Sequence, residues 1–166
     1  FWVTVLLSAL LAIQRSASLD SADGTGTSLR MSGLSPVARY LGRTAAVFVQ
    51  LLALEALLVG GLVVLYGVSV EEWFLLVVAG VVAGVAVAAA GTLYGALASG
   101  LRARETLLPI LVLPVLAPVL IGATRAYDDA LGVAAVDGWA WTGLLAVAAL
   151  VLTVVGASAH GALVED

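Results

Sequence analysis

The sequence predicts an all-α integral membrane protein, a polytopic bundle of helices, from its composition and from the spacing of its apolar runs. Of its 166 residues, 63% are hydrophobic and only 11% are charged, whereas soluble domains carry about 25% charged residues. A chain of this size cannot bury so much apolar surface within itself, so its solvent must be lipid. Five apolar runs supply the membrane segments, and four of them approach the ~20 residues that a spanning helix needs.

The apolar runs form one transmembrane domain, residues 1–166. The first run, FWVTVLLSALLAI, is too short to span a bilayer. Because the chain does not begin with methionine, we interpret this run as a membrane helix that has lost its N-terminal part. The predicted membrane segments are 1–13, 45–67, 73–100, 106–124 and 139–159, with a long polar connection at 14–44.

Charge predicts which connections are cytoplasmic. The connection 14–44 contains four arginines, and Arg102 and Arg104 lie between the third and fourth segments, whereas the other two connections are mainly acidic. Arginine and lysine accumulate in cytoplasmic loops. The two basic connections and the C-terminus are therefore predicted to lie on the cytoplasmic side of the cell membrane. Tryptophans flank the opposite side, where aromatic belts form at the headgroups; they are Trp2, Trp73, Trp139 and Trp141.

The third segment contains small residues at nearly helical spacing. Two GxxxG pairs, Gly80 with Gly84 and Gly91 with Gly95, are extended by Ala88 and Ser99. Small residues let helices approach closely in lipid. The pattern indicates tight packing within the bundle, or alternatively a dimer interface or a surface that slides during transport.

The end of the first polar connection has the signals of a helix start. Ser35 is a favourable N-cap residue and Pro36 suits the first helical position. The second membrane helix is therefore predicted to begin there, with an amphipathic turn on which one face is shared by Val37, Tyr40, Leu41 and Thr44. Arg39 and Arg43 share another face, which either anchors lipid phosphates or docks a cytoplasmic partner.

Glu55 lies near the middle of the second membrane segment. A carboxyl group at that depth is costly and normally faces the bundle interior or a water-filled cavity. It is either a functional site or a protonated glutamate that is hydrogen-bonded to a neighbouring helix.

Three prolines interrupt the fourth segment. Pro109 is expected in its first turn, where proline costs little. Pro114 and Pro118, four residues apart, each remove a backbone donor, which predicts a kinked helix whose kinks face the bundle. The kinks serve either as a static bend or as a hinge.

Several chemistries are excluded by missing residue types. The chain has no cysteine and no lysine, so it lacks the lysine of a phosphate-binding ATPase loop. His160 is the only histidine and is interpreted as a cap of the last helix. With no convincing nucleophile and base, the chain is predicted to be no enzyme and to hold no cofactor or metal. Its net charge of −4 gives no indication of nucleic-acid binding.

Two motifs resemble a known family. The stretch LLPILVLPVLAPVLI and the earlier DG…LSP pattern resemble CcmB, the membrane subunit of the ABC-type haem exporter of cytochrome c maturation. The family has six membrane helices with both termini cytoplasmic. The resemblance implies an ABC-2-type permease fold, of which about five helices are expected in this chain.

The resemblance also implies partners. A CcmA-like ATPase would hydrolyse ATP, beside CcmC-like and CcmD-like membrane proteins and, indirectly, the haem chaperone CcmE, with two copies of this chain per complex and haem as a possible substrate. Alternatives are a permease for a lipid or drug, or a scaffold that only recruits the ATPase. A possible second coupling loop contains Arg102 and Arg104, and the residues matching the family's coupling loop are Asp23, Gly24, Leu29, Leu34, Ser35 and Pro36.

Overall fold

The computed structural model describes residues 1–22, 35–98 and 104–165. Within these residues the chain forms helices and no β-strand, which confirms the all-α prediction. Four of the helices are long and apolar enough to cross a membrane, and the apolar part of the first is shorter. In chain order the helices are α1 Trp2–Ala22, α2 Pro36–Tyr66, α3 Trp73–Ala98, α4 Arg104–Ala130 and α5 Gly138–Glu165.

Helix α3 is the centre of the bundle. Its membrane window is 67% buried, against 17% for α2, and it packs against each of the other four helices. The glycines of its two GxxxG pairs and Ala88 are all buried within the chain. Tight packing inside the bundle is therefore confirmed for this stripe as far as Gly95, whereas Ser99 lies outside the described residues.

Several helices are longer than the apolar runs that predict them. Helix α1 continues to Ala22 and α5 to Glu165, so polar residues extend both helices beyond the apolar part. His160 is therefore inside α5, and its interpretation as a cap is wrong. Helix α4 begins at Arg104, which makes Pro109 its sixth residue. The expected position of Pro109 in the first turn is also wrong, because the helix begins among polar residues ahead of the apolar run.

The start of α2 agrees with the sequence. The Ser35 hydroxyl accepts a hydrogen bond from the Ala38 backbone N–H at 3.2 Å, and Pro36 takes the first turn. At the other end, Gly67 closes the helix in the left-handed conformation, with φ 62°. The predicted apolar face is divided in the structure, since Tyr40 and Thr44 are buried while Val37 and Leu41 are exposed.

Tyr40 joins three helices near the start of α2. Its hydroxyl donates a hydrogen bond to the Ala89 carbonyl oxygen of α3 at 3.1 Å and lies 3.4 Å from the Leu152 carbonyl oxygen of α5. The side chain is fully buried. Gly156 makes room for it, because a Cβ there would overlap the Tyr40 hydroxyl and ring. The first turns of α2 are thereby fixed to the seam between α3 and α5.

The opposite end of the bundle is held by backbone contacts between its connections. The backbone N–H groups of Glu71 and Glu72 both donate to the Ala130 carbonyl oxygen, at 2.9 and 3.1 Å. Asp129 accepts from the Gly138 N–H at 2.9 Å, and Asp137 caps α5 by accepting from the Ala140 N–H at 2.9 Å. Aromatic rings gather at the same end, in the pairs Trp2–Tyr127 and Phe74–Trp139.

The two deep prolines of α4 lie on its outer face. Pro114 and Pro118 are both exposed, as expected for residues four apart that share one face. The face that packs into the bundle consists of Val112, Leu116, Val119, Ala123 and Ala126. The expectation that the kinks face the bundle is therefore wrong. Aliphatic and small side chains fill the close contact with α3, and the proline rings lie on the side of α4 that the described residues leave exposed.

Candidate functional site

Glu55 is the buried acid of the membrane region. It lies on the inner stripe of α2, which also contains Tyr40, Thr44, Val47 and Leu51, and only 4% of its surface is exposed. The prediction that this carboxyl group faces the bundle interior is confirmed. Its role remains a prediction.

Two glycines of α3 provide the space that the Glu55 carboxyl group occupies. A Cβ at Gly80 would lie 2.9 Å from Glu55 Oε2, and one at Gly84 would lie 3.3 Å from Glu55 Oε1. Any larger residue at Gly80 would displace the carboxyl group. The first GxxxG pair therefore does more than bring two backbones together, because it also makes room for a polar side chain at the α2–α3 contact.

The side chains of Tyr127, on α4, and Glu55 both lie next to Gly80. The Cβ position at Gly80 is 2.7 Å from the Tyr127 hydroxyl oxygen, so the phenol and the carboxyl group approach each other across the surface of α3. Tyr127 is 5% exposed, and its ring packs against Phe1 and Trp2 with centroid distances of 5.1 and 5.0 Å. Three helices thus contribute to this buried polar site, with α1 covering the far side of the tyrosine.

One oxygen of Glu55 has no partner. Among the residues that the structure describes, no donor reaches Glu55 Oε1, although the atom is buried. Buried polar atoms are nearly always hydrogen-bonded, and an unpaired one costs about 1–3 kcal/mol. Burial of this acceptor is therefore costly; Oε1 is the oxygen on the Gly84 side of the carboxyl group, whereas Oε2 is on the Gly80 side.

A cavity of about 400 Å³ lies beside Glu55. It is lined by α2 between Leu52 and Val64 and by α3 between Trp73 and Val81, with Tyr127 at its inner end. We call it the α2–α3 groove. Its outer lining is open, since Val64 is 80% exposed and Trp73 is 55% exposed. Apart from Glu55, Tyr127 and the indole of Trp73, the lining is aliphatic or glycine.

Sequence reasoning found Glu55 but not its companions. Tyr127 lies beyond the predicted fourth segment, 106–124, whereas α4 continues to Ala130 and the tyrosine is buried. The sequence signal that could have located the Glu55 site was the glycine pair Gly80 and Gly84, because the absence of side chains there leaves space for the Glu55 carboxyl group.

Most residues of the predicted coupling loops cannot be placed. Asp23, Gly24, Leu29, Leu34 and Arg102 lie outside the described residues. Of the remaining members, Ser35 and Pro36 start α2, and Arg104 is the first residue of α4. The described residues contain no group of three or more histidine, cysteine, aspartate or glutamate side chains that could hold a metal ion.

Comparison with known proteins gives two matches. The family described as CcmB protein matches residues 1–165, nearly the whole chain. Heme exporter protein B of Haemophilus influenzae is 32% identical over 136 residues, in an alignment that covers 78% of this chain and 58% of that protein. The chain thus spans a little more than half the length of this relative.

Proposed function

The chain belongs to the CcmB family, and from this premise we propose that it is the membrane-embedded permease subunit of an ABC-type haem exporter that serves c-type cytochrome biogenesis. The observation that carries the proposal is the family match over residues 1–165. Four helices able to cross a membrane agree with a permease. The printed name of the bacterial relative, a haem exporter protein, supports the substrate.

The proposed role is one of coupling rather than of catalysis. A chain without lysine lacks the residue that contacts the β- and γ-phosphates in a phosphate-binding loop. ATP hydrolysis is therefore assigned to a CcmA-like ATPase, and its energy reaches this chain by contact. CcmC-like and CcmD-like proteins complete the proposed complex, which contains two copies of this chain and acts on the haem chaperone CcmE indirectly.

The full-length protein tests this proposal in a strain that lacks its gene. We expect the deletion to abolish covalent haem attachment to c-type cytochromes, measured by haem staining, and the restored gene to recover it. A tagged copy should co-purify an ATPase of the ABC type. Normal cytochromes together with a co-purified ATPase would contradict haem export and favour a lipid or drug permease. Haem-loaded vesicles separate a transporter from a scaffold, because only a transporter shows ATP-dependent haem flux.

The proposed orientation places the aromatic end of the bundle outside the cytoplasm and the C-terminus inside. A cysteine at Val133, which is 70% exposed in the connection between α4 and α5, should react with an impermeant thiol reagent added to intact cells. A cysteine at Ser32, in the basic connection, should react only after the cells are opened. Residues 1–166 contain no native cysteine, so within them only the introduced cysteine can react. The reverse labelling pattern would invert the orientation.

A further inference from the structure

The α2–α3 groove has an uneven distribution of charge. Its lining includes one acidic side chain, Glu55, two aromatic residues, Trp73 and Tyr127, and no basic residue. The remaining lining residues are aliphatic or glycine. An apolar site with a few convergent polar groups is typical of a small-molecule site, and a volume of about 400 Å³ lies in the usual range.

We propose that the α2–α3 groove binds a compact lipophilic cation, an apolar body that carries an amine, with the amine donating to the Glu55 carboxyl group beside Gly80. Glu55 provides the acidic group of the lining, and an ammonium group is a hydrogen-bond donor whose charge complements a carboxylate. Trp73 and Tyr127 add ring faces, which attract cations and apolar bodies alike. The aliphatic walls hold the remainder of the molecule.

The same lining disfavours an anion. A carboxylate or phosphate ligand would bring its negative charge to Glu55 with no arginine or lysine in the groove to offset it. Haem carries two carboxylates, so the inferred ligand is chemically distinct from haem. The inference therefore goes beyond the proposed function and depends neither on an ATPase nor on haem export.

Access to the groove is from the membrane. Val64 and Val77 are 80% and 54% exposed along its rim, whereas Glu55 at its inner end is buried. From Val64 to Leu52 the helix rises about 18 Å at 1.5 Å per residue. A lipophilic ligand can therefore partition into the bilayer first and then enter sideways, with its amine reaching the carboxyl group.

Matched fluorescent probes test the inference in the full-length protein in lipid nanodiscs. Dansylcadaverine carries an amine, and dansyl-aminocaproic acid carries a carboxylate on a similar body. Energy transfer from tryptophan to dansyl reports binding, since Trp73 lines the groove, and empty nanodiscs give the lipid background. We expect the amine to bind at least about tenfold more tightly than the acid, and Glu55→Gln to weaken the amine by about tenfold, equivalent to about 1.4 kcal/mol.

Two neighbouring glycines of α2 provide a control that leaves Glu55 intact. A Cβ at Gly60 or at Gly61 would meet nothing within 4 Å, but only Gly60 lines the groove. Gly60→Phe should therefore block amine binding, while Gly61→Phe should bind like the wild type. The comparison of Gly60→Phe with Gly61→Phe tests whether the amine binds in the groove, even if Glu55→Gln fails to fold.

Three outcomes would overturn the inference. The first is equal affinity for the amine and the acid in the wild type. The second is amine binding that is unchanged in Gly60→Phe, which places the probe elsewhere. The third is no amine binding at all, as expected if another subunit or a tightly held lipid fills the groove.

Discussion

Replacing Leu29 and Leu34 together by aspartate is expected to abolish co-purification of the ATPase while the protein still inserts into the membrane. The change places two charges where the proposed coupling loop would have its apolar anchors, and interface energy is concentrated in a few buried side chains. Burial of a leucine contributes about 2–5 kcal/mol in a core. Half of that amount for one leucine would already weaken docking by about 5- to 60-fold, at about 1.4 kcal/mol per decade.

The matched control is the other basic connection. Arg102→Ala with Arg104→Ala removes two charges from the possible second coupling loop and should weaken docking less. Membrane fractionation measures insertion, and affinity purification of the tagged protein measures the ATPase. If the leucine pair has no effect and the arginine pair loses the ATPase, the coupling site belongs to the second basic connection and the assignment of the first is wrong.

The position of α2 explains how contact at this loop can reach the rest of the bundle. Ser35 caps the helix that follows the loop, and Tyr40 stands little more than one turn later. The Tyr40 hydroxyl connects that turn to α3 and lies beside α5. A push on the end of the loop would therefore act first on a helix that is fixed to the centre of the bundle. Glu55 lies four turns further along the same inner stripe.

The sequence predicted the features that depend on local composition. Apolar runs located the membrane helices, Ser35 and Pro36 located the start of α2, and the family resemblance is confirmed by the match over residues 1–165. Helix ends were less predictable, because hydrophobicity marks where a helix meets lipid and not where its backbone hydrogen bonds stop. The polar tail of α1 and the acidic end of α4 are examples, since both are helical outside the apolar runs.

The candidate site could be predicted only in part because it joins distant segments. Periodicity shows that Pro114 and Pro118 share a face, but the choice between the inner and outer face is made by packing against α3. In the same way, the sequence shows Glu55 as an acid in an apolar run. Its proximity to Tyr127, however, depends on how α2 and α4 pack against Gly80 of α3. A single sequence does not contain that pairing.

Gly156→Val is expected to destabilise the bundle strongly, because Tyr40 occupies the space where its side chain would lie. A Cβ at this position overlaps the Tyr40 hydroxyl and ring, and the tyrosine is fully buried and hydrogen-bonded to Ala89. Overpacking of a core costs about 1–3 kcal/mol, and loss of the hydrogen bond adds about 0.5–1.5 kcal/mol. Chemical unfolding in mixed micelles should show a loss of about 1.5–4.5 kcal/mol as the sum of these terms.

Two comparisons separate this steric conflict from a general effect of valine in α5. Gly143 lies in the same helix, and a Cβ there meets nothing within 4 Å, so Gly143→Val should be neutral or slightly stabilising because glycine is a poor helix former. Tyr40→Ala should rescue Gly156→Val, since truncation of the tyrosine frees the space that valine needs. Residues in contact show coupling energies of about 0.5–3 kcal/mol in such double-mutant cycles. A coupling energy near zero would mean that Tyr40 does not pack against Gly156, and the proposed path from the coupling loop to the α3–α5 seam would lose its first contact.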